Sequence, residues 1–163
     1  MTGTAGRAGG WRCGLAGALA VVTLGWMGLL VAVPWLAGHA AGGRPALVMS
    51  AGVYLAGGLV CHQRPDRSFR LWGAQMPVCT RCAGLYLGAA VGAVLAVGRR
   101  RGRRGGGAAR RLIVAAAVPT GVTLVGEWAG WLAAPGVWRA VAALPLGAAV
   151  AWVASLAMRG ELE

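Results

Sequence analysis

Five runs of apolar residues divide the chain, and short polar or glycine-rich segments separate them. The runs lie between a glycine-rich tail and a polar tail, which we place at residues 1–12 and 159–163. The predicted spans are residues 13–38, 46–62, 82–98, 112–134 and 140–158. A helix of about 20 apolar residues crosses a hydrocarbon core of about 30 Å. The pattern therefore predicts an all-α polytopic membrane bundle, a single domain at 13–158 with about five transmembrane helices.

The second and third runs contain shorter uninterrupted apolar stretches than the first. We expect their helices to borrow residues from the loop between them, which would bring that loop into the headgroup region. A secretory signal peptide is the alternative interpretation of the first run, because small residues near Gly38 loosely resemble a cleavage site. It exceeds the usual apolar core of about 7–15 residues, so we favour a retained helix.

Composition excludes an ordinary soluble domain. Hydrophobic residues make up 58% of the 163 residues and charged residues only 12%, whereas soluble domains carry about 25% charged residues. The net charge of +12 comes from sixteen basic residues, all of them arginine. A nucleic-acid surface would need basic residues spread over one face with aromatic residues between them. That pattern is absent, so we expect the lipid bilayer and no nucleic acid as a partner.

Seven of the arginines fall within residues 99–111, which we call the basic loop. A short basic segment between two apolar runs is typical of a cytoplasmic anchor. If all five runs cross, the N-terminus, the loop 61–82 and the link 135–139 share one side of the membrane. The basic loop and the C-terminus would then be cytoplasmic and the loop 61–82 extracytoplasmic. With five crossings, nine arginines lie on the side of the basic loop and seven on the side of the loop 61–82.

The loop at residues 61–82, here called the Cys motif, holds most of the reactive chemistry. Cys79 and Cys82 have the C-x-x-C spacing that lets two sulfurs converge on one metal ion, and Cys61 and His62 could complete the ligand set. Because Cys61 and His62 are adjacent, their side chains tend to diverge, so three cysteines with a water molecule form an alternative set. The motif predicts a transition-metal site, with zinc as the first candidate.

Two other classes of function compete with metal binding. Cys79 and Cys82 could form a redox-active disulfide in a membrane thiol–disulfide oxidoreductase, with Arg81 favouring the thiolate. The motif could also only hold two helices together in a scaffold subunit that has no catalytic role. A c-type haem is disfavoured because Ala83, and not histidine, follows Cys82.

Polar residues around the thiols extend the candidate site. Arg64, Asp66 and Arg67 follow the motif's first half, where we expect a local turn network, and Ser68 could act as a cap. Arg81 lies between two of the cysteines.

Glu127 lies inside the fourth apolar run, where an ionisable residue is costly and marks a functional or paired site. We expect it to point into the bundle and to approach Arg139 or the Cys motif, so that the two regions form one polar site. The alternative is a structural ion pair or a protonated carboxyl group.

Gly84, Gly88 and Gly92 recur at a spacing of four in the third run. Such a stripe favours close helix contact, and we expect it to serve within the bundle, in a homo-oligomer or with a membrane partner.

The residues of the motif resemble a known family. Residues 61–69 read CHQRPDRSF and residues 77–88 read PVCTRCAGLYLG. They resemble the hallmark C-H-Q-x-P-x-R-S-F and P-x-C-x-R-C-x-G-x-Y-x-G of the domain of unknown function 2085 family, which consists of small prokaryotic integral membrane proteins. Glu127 and Arg139 are similar to a later acidic residue and an arginine of that family, although the expected acid is Asp followed by Gly. The resemblance implies a membrane protein with a Cys/His site and no established activity.

Overall fold

The computed structural model describes the backbone of residues 4–39, 43–99, 102 and 105–162, and their side chains except those of 4–10, 12, 13 and 39. The described chain forms five α-helices, α1 to α5: Thr4–His39, Gly43–Val60, Thr80–Gly98, Gly106–Trp128 and Gly136–Arg159. A short 3₁₀ helix, Pro65–Arg67, and two strands, β1 (Ser68–Leu71) and β2 (Ala74–Cys79), lie between α2 and α3. The predicted all-α polytopic class is confirmed.

Four of the helices are long and apolar enough to cross a membrane. These segments are Gly14–Gly38, Thr80–Gly98, Gly106–Trp128 and Gly136–Arg159. The third helix gains Thr80 and Arg81 from the loop, in the way we expected. The second helix, α2, is shorter and has Arg44 in its first turn, and it does not belong to this set of four.

Helix α1 begins at Thr4, within the segment that the sequence analysis treats as a tail. The helix thus starts before the apolar run. No proline precedes Pro34 in α1 to interrupt the helical backbone, and Ala and Arg in this segment are good helix formers. Prolines inside spanning helices are tolerated when neighbouring groups satisfy the freed carbonyls.

Helices α1 and α3 are antiparallel. Ala20 packs with Ala93 in one cluster, and the rings of Trp26 and Tyr86 meet edge to face with centroids 6.0 Å apart. Further along, Leu30 and Val33 pack with the residues that surround the Cys motif. As numbers rise in α1 they fall in α3, so the C-terminal end of α1 lies beside the motif.

This arrangement corrects the parity argument. The N-terminus of α1 lies at the end of the bundle opposite the Cys motif, whereas five crossings would have placed them together. The physical reason is the hairpin, which binds the last turn of α1: a Cβ atom on Gly38 would lie 2.7 Å from the carbonyl oxygen of Trp72. Helix α2 ends at this same end of the bundle, where the Cys61 sulfur accepts a hydrogen bond from the Cys79 N–H.

The glycine stripe of α3 packs against α5 inside the chain. A Cβ atom at Gly84, Gly88 or Gly92 would collide with the backbone of Ala140, Leu144 or Ala148 respectively. Because both sets of numbers rise together, α3 and α5 are parallel. The stripe is therefore filled by the protein's own helix, and this face of α3 is not open to a second copy or another partner.

Helix α4 runs antiparallel to α5 and brings its C-terminal end to the motif. The Thr120 hydroxyl donates a hydrogen bond to the Ala142 carbonyl at 2.8 Å, and Glu127 pairs with Arg139. The C-terminal end of α1, the N-termini of α3 and α5 and the C-terminus of α4 thus meet at one end.

The hairpin was not predicted. Strands β1 and β2 are antiparallel, with Arg70 opposite Gln75 and Leu71 opposite Ala74. The turn uses Trp72 and Gly73, both with positive φ angles of 50° and 81°. A two-residue turn of this kind is usually marked by Asn-Gly or Asp-Gly, and Trp-Gly lacks that mark.

Candidate metal centre

Three cysteines from three different elements meet at the motif end of the bundle. Cys61 follows α2, Cys79 ends β2, and Cys82 lies in the first turn of α3. Their sulfur atoms all lie within 4.8 Å of one another. Cys61 is buried and the other two are half-buried, and none of the three forms a disulfide. Four-coordinate zinc with bonds to sulfur of about 2.3 Å requires sulfurs about 3.8 Å apart, a small contraction from this spacing.

The hydrogen bonds around the sulfurs favour a thiolate at Cys79. A hydrogen bond from the Cys82 thiol lowers the pKa of Cys79 to about 5 against the opposing effect of burial. Backbone N–H groups of Cys82 and Arg81 add to this effect, as expected at a helix N-terminus. The Cys79 N–H in turn donates to the Cys61 sulfur at 3.1 Å. The hydrogen bonds therefore favour ionisation of Cys79 over that of Cys82.

Gln63 holds the two halves of the Cys motif together, and the sequence analysis missed it as a site residue. Its side-chain nitrogen donates to the carbonyl oxygens of Tyr54 at 2.6 Å and Pro77 at 2.7 Å. Its own carbonyl accepts a hydrogen bond from the Gln75 side chain at 2.6 Å. The hydroxyl of Tyr54 donates to the Gln75 carbonyl. These bonds fix the end of α2 against β2 and so place Cys61 beside Cys79.

The signal for Gln63 was available in the sequence. It stands in the quoted motif directly after His62. The structure adds a positive φ of 47°, a backbone conformation that is uncommon for residues other than glycine. A glutamine next to two proposed metal ligands is also a typical residue for orienting them.

His62 does not join the three sulfurs. It is exposed, and its ring nitrogens lie outside the group of ligand atoms that are within 4.8 Å of one another. It lines the same cavity as the cysteines. A change of its rotamer could bring the ring closer to the three sulfurs. The ligand atoms that converge are therefore three thiols.

Glu127 lies between two arginines beside the cluster. Its carboxylate is 2.6 Å from Nε of Arg139 and 3.4 Å from Nη2 of Arg81. The side chains are only 9%, 17% and 18% exposed for Glu127, Arg139 and Arg81 respectively. Nε of Arg81 is buried and has no hydrogen-bond partner among the residues that the structure describes. The carboxylate thus fixes the guanidinium groups of Arg81 and Arg139 beside the N-terminus of α3.

One cavity of about 420 Å³ connects the thiols with these arginines. Its lining residues include the three cysteines, His62, Arg81 and Arg139, and it also reaches Arg64 and Arg67. The four ligand candidates and four of the arginines named from the sequence therefore line one space. Its walls are mostly apolar, with Val60, Leu85 and Leu124 among the residues that form them.

The remaining polar residues form the turn that precedes the hairpin. Arg64 and Asp66 are paired at 3.1 Å, Arg67 lies 3.8 Å from the same carboxylate, and the Ser68 hydroxyl donates to the Arg64 carbonyl at 2.9 Å. The two arginines hold the pKa of Asp66 below its usual range, chiefly through the hydrogen bond from Arg64. All three ionic side chains are about half exposed, so this network orders the rim of the cavity.

The fold and the site define a polytopic helical membrane protein with a thiol-lined cavity at one end. The model of the family described as "Predicted membrane protein (DUF2085)" matches residues 61–153, more than half of the chain. The chain therefore belongs to this family, and the resemblance drawn from the motif is confirmed.

Two archaeal relatives share part of the sequence. An uncharacterized protein of Methanocaldococcus jannaschii is 46% identical over 43 residues, which cover 26% of this chain and 28% of that protein. An uncharacterized protein of Methanothermobacter thermautotrophicus is 53% identical over 30 residues, covering 18% of this chain and 27% of that protein. The chain thus spans about a quarter of the length of these relatives. No solved structure matches the chain.

Proposed function

We propose that Cys61, Cys79 and Cys82 bind a thiophilic divalent metal ion, with zinc as the first candidate, at the membrane interface. The observation that supports this function is the convergence of three sulfurs from α2, β2 and α3 within 4.8 Å. Zinc accepts thiolate ligands in a tetrahedral arrangement, and three protein ligands leave one position open. Water, His62 or a bound molecule could occupy that position.

The charges around the cluster support the same function. Three thiolates and a divalent cation together carry one net negative charge. Arg81 and Arg139 stand beside the cysteines in the same cavity, and Glu127 neutralises only one of these two cations. The remaining positive charge is suited to a negatively charged metal–thiolate centre.

A second candidate function is thiol–disulfide exchange, which one specific observation favours. Cys79 is at the N-cap of α3 and has a lowered pKa, which is the arrangement of an attacking thiol in C-x-x-C oxidoreductases. Its thiolate would attack a substrate disulfide, and Cys82 would then displace the substrate thiol and close a Cys79–Cys82 disulfide. Two thiols of a partner protein would have to reduce that disulfide and become a disulfide themselves.

Metal analysis of the purified protein in detergent tests the proposal. We expect about one zinc per chain in the wild-type protein, a loss of most of this metal in Cys79→Ser, and unchanged metal in Cys13→Ser. Cys13 is the matched control, because it is the fourth cysteine of the chain and belongs to α1 at the opposite end of the bundle.

Thiol counting on the same samples separates the two candidate functions. A metal centre gives protected thiols that a chelator releases. An oxidoreductase instead gives a Cys79–Cys82 disulfide that a reductant releases, with no metal lost in Cys79→Ser. Wild-type protein that is free of metal after preparation with zinc would contradict the metal proposal.

A further inference from the structure

The structure assigns α2 a different role from the other four long helices. We propose that α2 does not cross the bilayer but enters the leaflet on the motif side, where its open face contacts acyl chains. The chain then crosses the membrane four times, and both termini lie on the side opposite the Cys motif.

The first step of the argument is the position of the two ends of α2. Helix α1 reaches the motif end of the bundle before α2 begins, as its contacts with α3 and Trp72 show. Only residues 40–42 separate α1 from α2, and such a connection spans at most about 14 Å. The start of α2 is therefore near the motif end.

The end of α2 is at the same place. A Cβ atom on Gly57 would collide with the carbonyl oxygen of Pro77, and the Cys61 sulfur accepts a hydrogen bond from Cys79. Tyr54 also donates a hydrogen bond to the Gln75 carbonyl, so α2 runs beside strand β2, Ala74–Cys79, from residue 54 to its end. Because β2 lies between Trp72, which contacts the end of α1, and the start of α3, α2 follows the hairpin on the motif side instead of running beside the spanning helices.

The surface of α2 identifies its partner. The residues that face the protein are Ser50, Val53 and Gly57, which lie on one side of the helix. The remaining surface is apolar, and it includes Leu55, which is 73% exposed, and Leu59, which is 88% exposed. After Arg44, α2 carries no charged residue. A surface of this composition is stable beside acyl chains.

Four crossings also strengthen the orientation. Ten of the sixteen arginines then flank the end that carries both termini and the basic loop, and six flank the motif end. The positive-inside rule places the end with ten arginines in the cytoplasm and the Cys motif outside. Under five crossings the same count is nine against seven.

Tags at both termini of the full chain test the number of crossings. We expect protease added to right-side-out vesicles to leave both tags intact, and protease added to inside-out vesicles to remove both. Tags that differ in exposure would overturn the proposal, since an odd number of crossings places the termini on opposite sides. Removal of both tags only from right-side-out vesicles would overturn the orientation.

A substitution at Leu55 tests the contact with lipid. Because the side chain is 73% exposed, Leu55→Asp removes little packing within the protein, and the short aspartate cannot extend its charge to the headgroups as a lysine near a helix end can. In lipid it should lower the amount of folded protein recovered from membranes several-fold, whereas Leu55→Met should leave the amount unchanged. Equal recovery of Leu55→Asp and wild-type protein would show that this face of α2 is in water and would overturn the lipid assignment.

Discussion

The Cys motif and the seam between α3 and α5 are held together by opposite means. At the motif, polar groups of Gln63, Tyr54 and Gln75 join segments that are distant in the sequence. Along the seam, glycines let two helices touch backbone to backbone. Hydrogen bonds at the motif fix where side chains point, while contact at the seam fixes how close two helices lie. Changes at the seam should therefore affect the fold, and changes at the motif should affect the site.

The largest loss of stability is expected from a substitution in the middle of the seam. Gly88→Leu would drive a side chain into the backbone of α5 at Leu144, and even a Cβ atom has no room there. Overpacking of ordinary side chains costs about 1–3 kcal/mol, and backbone cannot yield as a side chain does, so we expect at least about 3 kcal/mol and little folded protein. Thermal unfolding in detergent measures this.

Gly121 provides the matched control for the seam. It lies in α4, and a Cβ atom there would meet nothing within 4 Å. Gly121→Ala should keep or slightly raise the unfolding temperature, because alanine is the better helix former. Gly88→Ala should lower it. Equal effects of the two substitutions would show that the seam is not closely packed.

A smaller effect is expected for the ion pairs that lie between the seam and the motif. Glu127→Gln leaves the guanidinium groups of Arg81 and Arg139 without their counter-charge in a site that is mostly buried. We expect a loss of about 2–3 kcal/mol in the free energy of unfolding and a weaker hold on the metal. Metal content and unfolding of the same protein sample measure the two effects.

Asp66→Asn is the control for the loss of a carboxylate. Asp66 also pairs with two arginines but is more than half exposed, and exposed pairs contribute little. Its removal should leave both readouts unchanged. If Glu127→Gln behaves in the same way as Asp66→Asn, the carboxylate does not support the site.

The sequence predicts the seam better than it predicts the motif. Apolar runs give α3 and α5 almost in full, because membrane helices satisfy their own backbone groups and need no long-range information. They give α4 with a shift, since the predicted span was 112–134 and the helix is Gly106–Trp128. The glycine spacing gives the stripe on α3 but not its partner, since the same spacing suits α5 or a second copy. Only the close approach of Gly88 to the backbone of Leu144 in the folded protein decides between them.

The path of the chain between α1 and α3 could not be predicted for a related reason. An apolar run of the length of α2 is compatible both with a helix that crosses the membrane and with one that stays on one side. Contacts in the folded protein, such as that between Gly38 and Trp72, distinguish the two paths. The residue types and spacing of the three cysteines indicate a common site. The hairpin that joins them rests on a Trp-Gly turn, which carries no recognised pattern.

The smallest effect, and the one that best separates the two regions, is expected at Gln63. Gln63→Ala removes two hydrogen bonds that join α2 to β2, at 2.6 and 2.7 Å. At about 1 kcal/mol for each bond, the fold loses only about 1–2 kcal/mol. The position of Cys61 is set through these bonds, so metal affinity should fall by about 10–100-fold, the usual range for residues that orient metal ligands. Competition with a zinc chelator measures the affinity, and Arg70→Ala, an exposed change on β1, serves as the control. A large loss of stability with unchanged affinity would make Gln63 a residue of the fold, like Gly88, and would remove the distinction between motif and seam.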